Sequence, residues 1–177
     1  MSTSEPAAGQ PERIVLGRLV RPVGIKGEVK LLPTENFWPE AMDSAQLQLE
    51  QGGEARSVEI LARRPSGDCL VLRLAGLSDR NGAEALRDAW LLLIGEPDVP
   101  LPEAPRAWQL TGMRVLLAGG GELGAVTGLT PMPGQALLQV KGATKVYEIP
   151  FVEPILCGID WAARTIEIDP PDGLLDL

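Results

Sequence analysis

Apolar and polar positions alternate in short bursts along this chain, and nearly every burst ends at glycine or proline. Residues 13–21 (RIVLGRLVR) read as a strand, Pro22 to Gly27 as a turn, and Glu28-Val29-Lys30-Leu31-Leu32 as a half-buried second strand. Gln46 to Glu50 alternates again, and Gln51-Gly52-Gly53-Glu54 turns the chain. Ser57 to Arg63 and Cys69 to Ala75 are the next strands, split by Pro65-Ser66-Gly67-Asp68. Strands at intervals of roughly ten residues predict an antiparallel barrel or sandwich.

One helix interrupts the meander. Ser78 can cap residues 79–89, where Ala83, Leu86 and Ala89 recur at three-residue spacing. Trp90 to Ile94 is continuously apolar and predicts a fully buried strand. Prolines 97, 100, 102 and 105 then crowd into nine residues, the composition of a semi-rigid linker. Beyond it, strands are expected at 113–117, 123–129, 136–141, 145–149 and 165–168. The predicted organisation is a disordered tail at 1–11, a β-barrel domain at 12–97, a Pro-rich linker at 98–106 and a second barrel domain at 107–177.

Charge and composition narrow the chemistry. The net charge is −8, distributed as −3 over residues 1–97 and −5 over residues 98–177. An acidic surface repels a phosphate backbone unless a basic face is segregated from it, and it suits a basic protein partner. There is no histidine, which removes every Ser-His-Asp or Cys-His triad and every His-ligated zinc site. Cys69 and Cys157 each lie beside apolar residues and read as buried small hydrophobes. The N-terminal residues have no basic stretch followed by an apolar one, and no apolar run reaches a membrane span, so a soluble cytoplasmic protein is expected.

Glycines 119, 121 and 124 spell G-x-G-x-x-G, the dinucleotide fingerprint. That motif works only where a helix starts on its last glycines. Here β-branched residues, a glycine and Pro131 come next, so a hairpin turn is predicted. Pro22-Val23-Gly24-Ile25-Lys26-Gly27 likewise lacks a P-loop's G-K-[ST] ending. Yet Arg13, Arg18, Arg21, Lys26 and Lys30 fall within 18 residues, answered there only by Glu28. Arg18, Lys26 and Lys30 share parity, which fits either the ordinary charged outer face of a barrel or a basic face touching RNA phosphate through Arg18, Arg21, Lys26 and Lys30. Arg106-Ala107-Trp108 puts two hot-spot residue types beside the linker, where Trp108 could equally pack beneath it. Glu167, Asp169, Asp172 and Asp176 are split by Pro170 and Pro171, and no metal site is expected.

Taken together the segments resemble the ribosome maturation factor RimM family. The resemblance is carried by Val15-Leu16-Gly17-Arg18, by residues 23–30 (VGIKGEVK), by residues 76–86 (GLSDRNGAEAL), by Glu148-Ile149-Pro150-Phe151-Val152, and by residues 169–176 (DPPDGLLD), in the family's order and separations. It implies an all-β chain: a six-stranded barrel of the translation-factor type, a Pro-rich linker, a C-terminal PRC-type barrel and one short helix. It also implies binding rather than catalysis, without a cofactor. The implied partners are the free small (30S) ribosomal subunit, the nineteenth small-subunit protein in its head, and 16S rRNA, whose late folding and processing would be assisted. The chain departs from the family in lacking an aromatic pair at the start of the second domain, where Gln109-Leu110-Thr111-Gly112 comes after Pro105-Arg106-Ala107-Trp108, and in placing Gly134-Gln135-Ala136 where an Asn-Asp turn is usual. The implied protein-contacting set is therefore Arg106, Trp108, Gly134 and Gln135. A monomer is expected. The alternatives are a stand-alone RNA-binding barrel acting through the basic hairpin, and a carboxylate-based hydrolase, for which the spacing of Glu28, Glu35 and Glu59 gives no support.

Overall fold

The computed structural model describes residues 13–177, and the expected tail at 1–11 lies outside the described residues. The chain is all-β and divides into two compact units, 13–104 and 105–177.

The first unit is a seven-stranded antiparallel sheet. Its strands are β1 (Arg13–Val23), β2 (Glu28–Pro33), β3 (Leu47–Gln51), β4 (Glu54–Ser57), β5 (Ile60–Ser66), β6 (Cys69–Leu74) and β7 (Trp90–Ile94), in the order β4-β3-β7-β1-β2-β6-β5. Alternation sends Leu19, Val29, Leu31, Leu49, Leu72 and Leu91 to the buried face. The four-residue β4, exposed throughout, is the strand added to the six expected.

Two bulges bend β1, between Val15 and Gly17 against β7 and between Leu19 and Arg21 against β2. An extra residue in one strand reverses which side chains face the core beyond it. The hairpin turn after β1 is as predicted, and Gly27 cannot be replaced there. Its φ is +81°, and an added Cβ would lie 2.9 Å from the backbone of Leu77 and Asp79.

The helix is shorter than the apolar spacing suggests. The first helix, α1, spans Arg80–Ala85, and the cap is Asp79 rather than Ser78, its carboxylate accepting from Gly82 N–H at 2.7 Å. Residues 86–89 leave the helix because β1 claims their backbone: Asp88 N–H donates to Leu19 O at 2.7 Å, and Leu19 N–H to Ala89 O at 2.8 Å. Ala83, Leu86 and Ala89 are nonetheless all buried. Leu91 to Leu93 are buried as expected of β7, but Trp90 is 42% exposed.

The Pro-rich segment begins attached to this unit. Trp38, fully buried, donates its indole N–H to Pro100 O at 2.9 Å. Asp98 accepts from the Ser44 hydroxyl and, at 3.0 Å, from Ala45 N–H. The Ser44 hydrogen bond first, and the Ala45 amide after it, hold the Asp98 carboxyl below its usual pKa.

The second unit opens with α2 (Ala107–Leu110) and continues as a six-stranded sheet: β8 (Arg114–Leu117), β9 (Glu122–Met132), β10 (Gln135–Lys141), β11 (Val146–Pro150), β12 (Leu156–Asp160) and β13 (Thr165–Ile168). The order is β11-β10-β9-β8-β13-β12, with β8 and β13 parallel and every other pair antiparallel. Met113, Val115, Val126, Leu138, Val140, Ile149, Ile166 and Ile168 form its core. The sequence pattern did not reveal β12, because Leu156-Cys157-Gly158 breaks the alternation and the strand lies at the sheet edge. Cys157 is consequently exposed and Cys69 half-buried, neither being the buried hydrophobe expected.

The G-x-G-x-x-G stretch forms the β8–β9 turn and runs straight into strand β9. Gly124 is required for close approach, since a Cβ there would lie 2.1 Å from Lys141 O. No helix among the described residues is long and apolar enough to cross a membrane. No group of three or more acidic, cysteine or histidine side chains that could hold a metal ion forms among them.

Candidate nucleic-acid interface

The expected basic face is built by the second bulge of β1. On the buried side Leu19 pairs with Leu31; after the bulge Arg21, not Val20, pairs with Lys30. Residues directly opposite in an antiparallel pair share a face. Arg18 pairs with Leu32, two residues from Lys30, so Arg18, Arg21 and Lys30 all lie on the outer face. Arg21 would point inward in an unbroken strand. Two like charges held opposite each other are destabilising, so the Arg21–Lys30 pair costs stability unless an anion covers it.

Neighbouring strands widen this face. Val71 pairs with Lys30 on one side and Arg64 on the other, which puts Arg64 in the same row as Arg21 and Lys30. Arg64 lies 3.1 Å from Glu28, so the one acid of the hairpin is already engaged. Lys26 is exposed in the turn, away from the strand rows, and the Arg80 guanidinium ties that turn to α1 by donating to Gly24 O at 3.0 Å. Arg18 sits 3.6 Å from Asp88, and its guanidinium carbon lies 5.9 Å from the centroid of the Trp90 ring. Sequence parity found Arg18 and Lys30; it could not find Arg21 by register, Arg64 or Trp90, because each depends on a bulge or a long-range pairing.

The four residues expected to contact a protein are placed differently. Arg106 precedes α2, and its N–H donates to the Gln109 side chain at 2.8 Å. Its Nε is buried without a hydrogen-bond partner among the described residues. Trp108 is 8% exposed, within the packed part of the structure. Gly134 and Gln135 are exposed at the β9–β10 turn, where Gln135 pairs with Met132. The end of α2 meets β9 at Val126, whose carbonyl accepts from Gly112 N–H at 2.8 Å. At roughly 3.3 Å per residue, Val126 and Met132 are on the order of 20 Å apart along the strand, so the structure gives these four residues no single cluster.

One residue that sequence reasoning missed organises this region. Arg164 donates to Gln109 O at 2.8 Å and Thr111 O at 2.9 Å, satisfying carbonyls at the end of α2. Its left-handed backbone, φ 56°, turns β12 into β13 and aims the guanidinium there. Nothing in a single arginine after Ala162-Ala163 announces such a clamp.

Of the carboxylates considered for catalysis, Glu28 is bound by Arg64. Glu59 lines a groove of about 740 Å³ beside Asp43, and the Arg63 hydrogen bond holds the Asp43 carboxyl below its usual pKa.

Comparison with known proteins fits both units. The RimM N-terminal domain model matches residues 14–94, and the RimM PRC barrel domain model matches residues 108–174. A curated relative from Anaeromyxobacter sp. (strain Fw109-5), named ribosome maturation factor RimM, is 36% identical over 169 residues, covering 93% of this chain and 99% of that protein. The chain belongs to the RimM family. A solved structure of a RimM protein from Pseudomonas aeruginosa is 25% identical and covers 89% of this chain and 97% of its own, with a TM-score of 0.41. The two family matches meet at the Pro-rich segment, leaving 95–107 between them, so the basic face falls in the RimM N-terminal domain and the Arg164 clamp in the PRC barrel domain.

Proposed function

We propose that this chain is a non-catalytic assembly factor for the small ribosomal subunit, assisting late folding and processing of 16S rRNA without a cofactor. The observation that carries the proposal is similarity along nearly the whole chain to a protein named as a ribosome maturation factor. Residues 105–177 carry a net −3, an acidic unit that suits a basic ribosomal protein, the nineteenth of the small subunit, in the subunit head. Arg106, Trp108, Gly134 and Gln135 are the proposed contacts, with Arg106 and Trp108 acting through the α2 region and Gly134 and Gln135 through the hairpin tip. Arg18, Arg21, Lys26 and Lys30 are proposed to rest on rRNA phosphate. The domains are proposed at 12–97 and 107–177, joined by 98–106, in a cytoplasmic monomer.

The mechanism proposed is positional: the two units hold a ribosomal protein and its rRNA in register until the head has folded. Co-sedimentation of the purified protein with free small subunits, intact ribosomes and naked 16S rRNA tests this. Binding confined to free small subunits is the expected outcome. Equal binding to naked rRNA, lost as salt rises, would favour a stand-alone RNA-binding barrel. Binding to none of the three would sink both.

A further inference from the structure

The outer face of the first sheet carries more than cations. Trp90 starts β7 in register between Glu50 of β3 and Arg18 of β1. Leu91, Leu92 and Leu93 immediately after it are buried, so the indole stands on a rigid base while 42% of Trp90 faces water. Beyond Arg18 in the same row lies Leu32, also exposed. Arg21 and Lys30 occupy the next row of the same face. With strands about 4.8 Å apart and about 6.6 Å between same-face residues, the Lys30 backbone is on the order of 12 Å from that of Trp90. Two long cationic side chains therefore reach toward the same ground as the ring.

We propose that this face binds single-stranded RNA, with an unpaired base stacked on Trp90 beside the Arg18 guanidinium and a neighbouring phosphate held between Arg21 and Lys30. The inference rests on the rRNA role proposed for the hairpin and narrows it to unpaired nucleotides. A duplex buries its base faces in its own stack and offers an exposed indole nothing to cover it. A single strand presents a π-face at every base, and an aromatic set among cations is the arrangement that takes one. The acids nearby do not oppose this, because Glu50 is held by Arg13 and Asp88 lies against Arg18. The Arg21–Lys30 repulsion, unrelieved within the hairpin, is relieved by a phosphate.

Fluorescence anisotropy with a labelled twelve-nucleotide single-stranded RNA and a hairpin duplex of matched composition, at two salt concentrations, tests the proposal on the full chain. The expected result is tighter binding of the single strand and a loss of about 5- to 150-fold in Trp90→Ala. Trp90→Phe keeps most of the affinity, which separates stacking from any disturbance of β7. Arg21→Ala with Lys30→Ala weakens binding and flattens the log–log salt dependence by about 0.7, the share of the one phosphate they hold. Equal affinity for the duplex, unchanged in Trp90→Ala, overturns the stacking role and leaves the basic face standing. No RNA affinity, with co-sedimentation on small subunits retained, overturns the RNA reading of this face but not the assembly role. Loss of subunit binding in Trp90→Ala with RNA affinity unchanged assigns Trp90 to a protein contact and also overturns the proposal.

Discussion

The two sheets reach similar size by different means. The first is antiparallel throughout and closes on a leucine-rich face, while its outer face carries like charges side by side. The second includes a parallel pair, β8 with β13, and an arginine on two carbonyls; both units set a glycine against neighbouring backbone, Gly27 in the first and, more tightly, Gly124 in the second. A sheet stabilised by many interchangeable apolar contacts can give over its outer surface to a partner. One stabilised by a few specific contacts has less freedom at those positions.

Substitutions at four positions test that contrast. Gly124→Ala should have the largest effect, because its Cβ would overlap Lys141 O at 2.1 Å. A loss of about 3 kcal/mol or more is expected in chemical denaturation. A near-neutral result would remove the close-approach account of this glycine. Arg164→Ala should cost about 1.5–3 kcal/mol, the range for hydrogen bonds from a charged group. Arg164→Lys should recover only part of it, since an ammonium cannot reproduce the fork on Gln109 O and Thr111 O. Full recovery would show that charge alone acts there.

On the first sheet, Lys30→Ala should leave stability within about 0.5 kcal/mol or raise it slightly, since it relieves the repulsion opposite Arg21. A clear loss by thermal melting would mean that the outer face helps hold the sheet. The smallest effect is expected from Asp98→Asn. The folded-state pKa of Asp98 is depressed, so its contribution is present above the unfolded value of about 3.9 and fades as pH falls through the folded one. The variant should therefore lose a little stability at neutral pH, and its difference from the parent should shrink in acid. A difference that grew in acid would contradict the Ser44 and Ala45 contacts as its source.

Much of the first unit was legible because its hairpins are local. The alternation in 28–32 and the glycines at 24 and 27 specify β2 and its turn without reference to anything distant. The G-x-G-x-x-G stretch is equally local, its hairpin following from the strand-forming residues after Gly124. The hidden features depend on pairing. The bulge at Val20 has no composition of its own, and only the register against β2 shows that Arg21 faces outward. Trp90 looked like the first residue of a buried run, and its exposure follows from where β7 begins. The end of α1 was misplaced because Leu86 and Ala89 remain buried after the helix stops, so their spacing continues a helical pattern that the backbone has left. In the candidate site, parity along β1 and β2 found part of the cationic row; Arg64 needed β5 to be laid beside β6.

The parallel β8–β13 pair also fixes an order of events as the chain is synthesised. Every strand of the first unit has been made once Ile94 is in place, and domains commonly fold as units from the N-terminus during synthesis. Arg114–Leu117 can pair with β9 at once, but its second, parallel partner arrives only with Thr165–Ile168, about fifty residues later, and so distant a pairing is slow to close. A chain interrupted between these two strands would carry a complete first sheet, able to display its cationic side, and a second sheet that cannot be finished.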